Sequence, residues 1–205
     1  MHDTVTIHGL FGGQALDRLM EYPGPMRIID IGSGAGIHAD IMRGKGHSIT
    51  TISMTGRADV IGDYMNYRPA FPVDAIWACH VLEHMPNVGL FLKKCFTDLR
   101  EDGVLAVTVP PAKLNLVGGH LTLWTHALLL YNLIVAGFDC RNARVSDIYA
   151  NTPSQPPYNI SVIVKKREAL LPKLLCDAGD IEQLERFFPC PVWQNMDGRF
   201  PAINW

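Results

Sequence analysis

The feature that most constrains this chain is an alternation along its length. Apolar runs long enough for one strand are separated by longer segments whose apolar residues recur at helical spacing. Met26–Ile31, Ile49–Ile52, Asp59–Ile61, Val73–Ala78, Val104–Val109, Asn142–Ile148 and Ile160–Val164 read as strands. Gly9–Glu21, Ile37–Lys45, Leu90–Leu99 and Thr125–Ala136 read as helices, with Gly103 and Gly137 placed where helices stop. Alternation of this kind closes as an α/β fold, a mostly parallel sheet of seven strands with helices on both faces. After Arg167 the pattern changes to two short helical stretches, Glu168–Cys176 and Asp180–Phe188, and a Pro- and aromatic-rich tail. We therefore expect a main domain over residues 1–167. Residues 168–205 should dock on it or form an interface through Phe187, Phe188, Trp193, Phe200 and Trp205.

Composition removes several classes of function. With 205 residues, 18 Lys+Arg against 20 Asp+Glu and a formal charge of −2, the chain lacks the clustered basic face that nucleic-acid binding rests on. Its five cysteines are widely spaced with no C-x-x-C pair, which fits a reducing compartment and no thiolate metal site. The longest apolar run, Ala127 to Phe138, is short of the roughly 20 residues that span a bilayer. A cytoplasmic protein acting on a small molecule, without nucleic acid or membrane and with a possible homodimer, is the expectation.

The most informative stretch is Ile28-Ile29-Asp30-Ile31-Gly32-Ser33-Gly34-Ala35-Gly36-Ile37. An apolar strand runs into a glycine-rich turn that opens a helix, so bare amides point at whatever lies over the strand's carboxyl end. Ile37 occupies the position where a dinucleotide fingerprint has its last glycine, which disfavours NAD and FAD. Asp30 does nothing by charge for a pyrophosphate but suits a ligand bearing an ammonium group.

Asp30-Ile31-Gly32-Ser33-Gly34-Ala35-Gly36 resembles motif I of the class I S-adenosylmethionine-dependent methyltransferases, and further segments follow in that family's order. Gly62-Asp63 is similar to the position whose carboxylate accepts from the adenine amino group. Val73–Ala78 followed by Cys79-His80-Val81-Leu82-Glu83-His84-Met85 resembles the fourth strand and "E-H" segment of the small "type 11" members. Leu99–Leu105 is like their turn into strand five, and His120, Trp124, Thr125 and Gly137-Phe138 resemble a later passage. The resemblance implies a Rossmann-like fold, S-adenosylmethionine as cofactor, and methyl transfer to a small polar acceptor such as a sugar or secondary-metabolite hydroxyl. A quinone-type acceptor and a non-catalytic scaffold are the alternatives. It assigns Asp30, Gly32, Ser33, Gly34, Gly36, Ser53, Asp63, Tyr64 and His80 to the cofactor, with core packing an equal alternative for Tyr64. Two departures stand out. Strand two ends in Thr51-Ile52-Ser53, where the family usually has a carboxylate for the ribose, and only six residues link it to strand three, so the second crossover should be shortened.

Histidines are suited to deprotonating a hydroxyl acceptor near neutral pH. His84 and His120 fall where strand ends should meet the ligand, and the Gly118-Gly119 pair gives His120 a flexible approach. Glu83 either orients a histidine or is a solvated first-turn residue; with His84 and His120 it completes the candidate catalytic set. His80 and His84 have the i, i+4 spacing of a zinc pair. Glu83 is the one further ligand nearby and is expected to point elsewhere on a helix, so no metal is expected.

Overall fold

The computed structural model describes residues 10–113, 115–146, 159–192 and 202–205. Among the described residues eight strands form one sheet: β1 (Arg27–Ile31), β2 (Ser48–Ser53), β3 (Val60–Ile61), β4 (Val73–Cys79), β5 (Leu99–Val109), β6 (Arg144–Ser146), β7 (Ile160–Lys165) and β8 (Ala202–Ile203). Their order is β3-β2-β1-β4-β5-β7-β6-β8. The first five in that order are parallel, β7 returns antiparallel to β5, and β6 and β8 complete the antiparallel edge. The expected Rossmann-like α/β sheet is present, with β8 as one short strand more than the alternation revealed.

Side chains alternate across the sheet as the pleat requires. Ile28, Ala75, Trp77, Val104 and Ala106 pack under α1 (Gly13–Leu19) and Met42 of α2 (Ile37–Gly44). Ile29, Ile31, Ile76, Leu105 and Val107 face the opposite layer, built from α3 (Val88–Asp98) and α4 (His126–Val135). Asp30 shares the Ile28 parity, and its register partners are Thr51 of β2 and Trp77 of β4. Trp77 is fully buried and donates from Nε1 to His38 Nδ1 at 3.1 Å.

Three segments depart most from the sequence expectation, while other element ends shift by a few residues, as at α1 and at β6, whose expected end at Ile148 lies outside the described residues. The segment Glu168–Cys176 is not helical: Pro172 drives Leu171 out of the α region. Its backbone is instead held extended by Ala169 N–H donating to Gly137 O at 2.8 Å. Leu99 opens β5 opposite Val73 rather than closing α3. Gly103 then lies so tightly that a Cβ would fall 2.7 Å from Arg100 O. Asp180–Phe188 divides into α5 (Asp180–Leu184) and a 3-10 turn. Leu184, Phe187, Phe188 and Val192 join the α3/α4-side core, and Arg18 stacks 5.9 Å over the Trp205 ring. Trp193 and Phe200 lie outside the described residues. No helix among the described residues is long and apolar enough to cross a membrane.

The crossover from β2 to β3 is reduced to a helix-free loop over residues 54–59, as expected. It is held by Asp59, whose Oδ2 accepts from Thr51 N–H at 2.8 Å and Thr51 Oγ1 at 2.7 Å. Trp77→Ala should lower the free energy of unfolding in urea by about 3–5 kcal/mol, because it leaves a cavity at the sheet centre. Phe71→Ala, at a ring 69% exposed, should change it by less than about 0.5 kcal/mol.

Candidate active site

The turn after β1 is built from glycines that other residues replace only at a cost. Gly32, Gly34 and Gly36 have φ of 71°, 54° and 81°, and a Cβ on Gly32 would also approach Val81 Cγ2 to 2.8 Å. Their amides fold the turn tightly: Gly32 N–H donates to Ile52 O at 2.7 Å and Gly36 N–H to Ser33 O at 2.8 Å. Immediately before this turn lies Asp30, 2% exposed, with no partner for Oδ2; Ser33 Oγ is likewise buried and unpartnered. Burial pushes the Asp30 carboxyl up to about 7, against a smaller opposing pull from Arg43. A buried carboxyl without a donor is costly unless something cationic completes it.

Beside the turn opens a cavity of about 650 Å³ at the carboxyl ends of β1, β2 and β4, within the usual range for small-molecule sites. Gly32, Ser53, Asp63, Tyr64, His80 and His84 line it, bringing together six residues expected in the site. Asp63 is exposed and caps the following 3-10 turn through Met65 N–H at 2.8 Å. The Tyr64 hydroxyl is not available for a cofactor. It donates to Asp98 Oδ2 at 2.8 Å, while its ring packs edge-on to Phe91 and under Lys94 Nζ, so Tyr64 is a core residue that walls the cavity. Gly36 lines a separate polar hollow with Asp40, Arg43 and Asp59.

Sequence reasoning missed the apolar part of the wall, Met54, Met65, Met85, Leu90 and Phe91. It also missed the α3 cap, Asn87 Oδ1 accepting from Leu90 N–H at 3.0 Å. Asn before an apolar periodic run was a readable signal for the cap; the methionines carried none.

The second group of residues gathers around the 3-10 turn Leu82–His84. Glu83 is not solvated. It is fully buried, its Oε1 lies 3.0 Å from His80 Nδ1, and its Oε2 has no partner. The turn is 3-10 rather than α-helical and His80 adopts φ of 55°, so the i, i+4 geometry expected for His80 and His84 does not form. His84 Nδ1 instead pairs with Gly119 O at 2.7 Å and its ring meets His120 edge-on at 5.2 Å. Glu83, which was expected to point away, thus joins His84 and His120, and one ligand atom from each lies within 4.8 Å of the others. Burial pushes the neighbouring Cys79 thiol up to about 12, which removes it as a nucleophile.

A family model described as "Methyltransferase domain" matches residues 11–138, more than half of the chain. The chain belongs to that family. It thereby carries a methyltransferase domain of the class I S-adenosylmethionine-dependent family. A curated relative, the ubiquinone biosynthesis O-methyltransferase of Bradyrhizobium diazoefficiens, is 28% identical over 42% of this chain and 40% of its own length. The match thus spans about two fifths of that relative. Among solved structures, the 1,6-didemethyltoxoflavin-N1-methyltransferase of Burkholderia thailandensis, holding its substrate and S-adenosylhomocysteine, is 17% identical. It aligns at TM-score 0.64 over 76% of this chain and 77% of its own. An S-adenosylmethionine-dependent methyltransferase of Archaeoglobus fulgidus aligns at 0.60 with 17% identity, over 75% and 92% of the two chains.

For a methyltransferase the residues present fit the cofactor. The unpartnered Asp30 carboxylate suits an ammonium group, and the positive-φ turn leaves room where a Cβ at Gly32 would clash.

Asp30 also makes the cofactor-free enzyme sensitive to pH. A carboxyl raised above its unfolded value of about 3.9 keeps its proton in the native state while the unfolded chain releases it. Stability of the cofactor-free methyltransferase should therefore fall as pH rises from about 4 to about 7. Asp30→Asn should flatten that slope and be more stable at pH 8, by on the order of 3 kcal/mol, in urea titrations at pH 5 and pH 8. Tyr64→Phe, in contrast, should cost about 1–2 kcal/mol of stability in the same assay. Calorimetry should find its affinity for S-adenosylhomocysteine unchanged.

Proposed function

We propose that this methyltransferase transfers the methyl group of S-adenosylmethionine to a hydroxyl on a small, largely apolar, ring-bearing acceptor. The carrying observation is Asp30: a buried, unpartnered carboxylate at the mouth of a three-glycine turn, beside a cavity of nucleoside size. Asp30 holds the ammonium of the cofactor's amino-acid end, the Gly32–Gly36 turn admits its backbone closely, and Ser53 and Asp63 face the ribose and adenine. The cofactor supplies an electrophilic methyl on a sulfonium. The protein's own task is then to align an acceptor oxygen with that methyl and to keep water out.

Two features support an apolar ring over the sugar expected from sequence. The cavity wall toward α3 consists of Met85, Pro86, Leu90 and Phe91. The adjoining hollow of about 280 Å³ joins His120 to Leu116, Leu121 and Leu123, which are 96%, 63% and 55% exposed. Exposed leucines grouped at the edge of a site mark where an apolar ligand enters. The relative whose name refers to ubiquinone biosynthesis supports the same class. The buried Glu83 beside His80, with His84 and His120 beyond, supports this side of the cavity as the end where an acceptor hydroxyl loses its proton.

Isothermal titration should give micromolar binding of S-adenosylhomocysteine, and Asp30→Ala should weaken it at least tenfold, about 1.4 kcal/mol. Between pH 8 and pH 6 the wild-type affinity should fall several-fold as Asp30 takes up its proton, while Asp30→Asn binds weakly at both values. An absence of heat at high ligand concentration would leave a binding scaffold on a methyltransferase fold as the better description.

A further inference from the structure

From the geometry around the Leu82–His84 turn we infer that Glu83, His84 and His120 form a binding site for a divalent first-row transition-metal ion, with coordination positions open to the acceptor oxygen. The inference deepens the methyl-transfer reading and rests on it for the identity of the acceptor, though not for the metal itself.

Four observations carry it. The three residues each bring a ligand atom within 4.8 Å of the other two. Two atoms bound to one zinc-like ion at tetrahedral angles stand about 3.4 Å apart, so closure by an ångström or so completes the set. Glu83 is fully buried and its Oε2 has no hydrogen-bond partner, an oxygen that protein groups leave uncompensated. His84 is already arranged as a ligand: with Nδ1 donating to Gly119 O at 2.7 Å, the lone pair is on Nε2. A backbone carbonyl fixing the far nitrogen is the usual outer contact of a metal-bound histidine. Glu83 has an equivalent support in His80 Nδ1, 3.0 Å from Oε1.

The loop that brings His120 is fastened to the same turn. Leu121 N–H donates to Glu83 O at 2.6 Å, and Thr122 Oγ1 donates to Leu82 O at 3.2 Å. Gly119 passes close to His84 at φ of 81°, where a Cβ would fall 3.2 Å from Nδ1. A chain connection of more than thirty residues between His84 and His120 is thereby pinned so that their rings meet.

Two imidazoles and one carboxylate suit zinc, cobalt, nickel or iron, and not magnesium, which prefers all-oxygen surroundings. Three protein ligands leave at least one position for an exogenous oxygen. His84 lines the cofactor cavity and His120 the leucine-rimmed hollow, so the ion lies between methyl donor and acceptor. An acceptor hydroxyl bound there would become more acidic, as water does on zinc.

The test uses the full chain, stripped with chelator, and cobalt(II) as probe. Wild-type protein should take up one equivalent with visible ligand-field bands, zinc(II) should displace it, and magnesium(II) should not. His84→Ala and His120→Ala should each weaken cobalt binding at least tenfold. S-adenosylhomocysteine titrated into the same preparations reports folding and the cofactor site independently. Asp30→Asn should lose S-adenosylhomocysteine yet keep the cobalt bands, and His120→Ala, which lies outside the cofactor cavity, should do the reverse. No saturable cobalt equivalent in wild-type protein, or one retained by both histidine variants, would overturn the metal site while leaving the methyltransferase reading intact.

Discussion

Everything at the functional end of this molecule follows from one buried charge at the end of a central strand. Asp30 has β2 on one side and β4 on the other, and its Oδ2 has no hydrogen-bond partner, because the hydroxyl of its register neighbour Thr51 donates to Asp59 instead. Burial without a partner holds the carboxyl near the point where it is half protonated at neutral pH. A domain that evolved only for stability would replace it with an apolar side chain, as it does at Ile28 and Ile29 on the same strand. A cationic ligand group would convert the isolated carboxylate into a paired one, and that difference between empty and filled states would then be available as binding energy.

Around that charge, the parallel sheet decides where chemistry takes place. The carboxyl ends of β1, β2 and β4 open on one side, and each is followed by a segment that cannot close over them. After β1 it is the positive-φ turn, after β2 the helix-free loop clasped by Asp59, and after β4 the 3-10 turn carrying Glu83 and His84. The fourth wall arrives from far along the chain. The loop after β5 donates the Leu121 and Thr122 N–H groups to Glu83 O and the Thr122 hydroxyl to Leu82 O, so the segment bearing His120 is positioned by hydrogen bonds to backbone carbonyls rather than by its own secondary structure. Precision of this kind survives substitution of exposed side chains, because its partners are carbonyl oxygens that every residue supplies.

The sheet and the cofactor turn were legible in the sequence because both are written in local patterns. Apolar runs of strand length, glycines at 32, 34 and 36, and a charge at 30 need no knowledge of the rest of the chain. What escaped is what depends on distant partners. Tyr64 reads as an aromatic next to the cavity, and only the Asp98 carboxylate across α3 shows that its hydroxyl is committed to the core. Glu83 reads as a surface residue because helical geometry would turn it outward; a 3-10 turn buries it. The helix expected over Glu168–Cys176 failed for a local reason, Pro172, which the apolar spacing outweighed.

The missing carboxylate at the end of β2 acquires a physical meaning in this setting. A Glu or Asp at Ser53 would add a second carboxylate to a cavity already lined by Asp63, close to the raised Asp30 carboxyl at the end of β1. Like charges in a shared low-dielectric site disfavour each other's ionised forms. With Ser53 in that place, the end of β2 presents a neutral hydroxyl to the cavity. The clasp of Asp59 on Thr51 shows the same economy: its carboxylate is held well below the usual range by the Thr51 N–H and hydroxyl, and it faces the separate polar hollow rather than the cavity. Shortening the second crossover therefore removes a helix and leaves the Asp59 carboxylate facing the separate polar hollow.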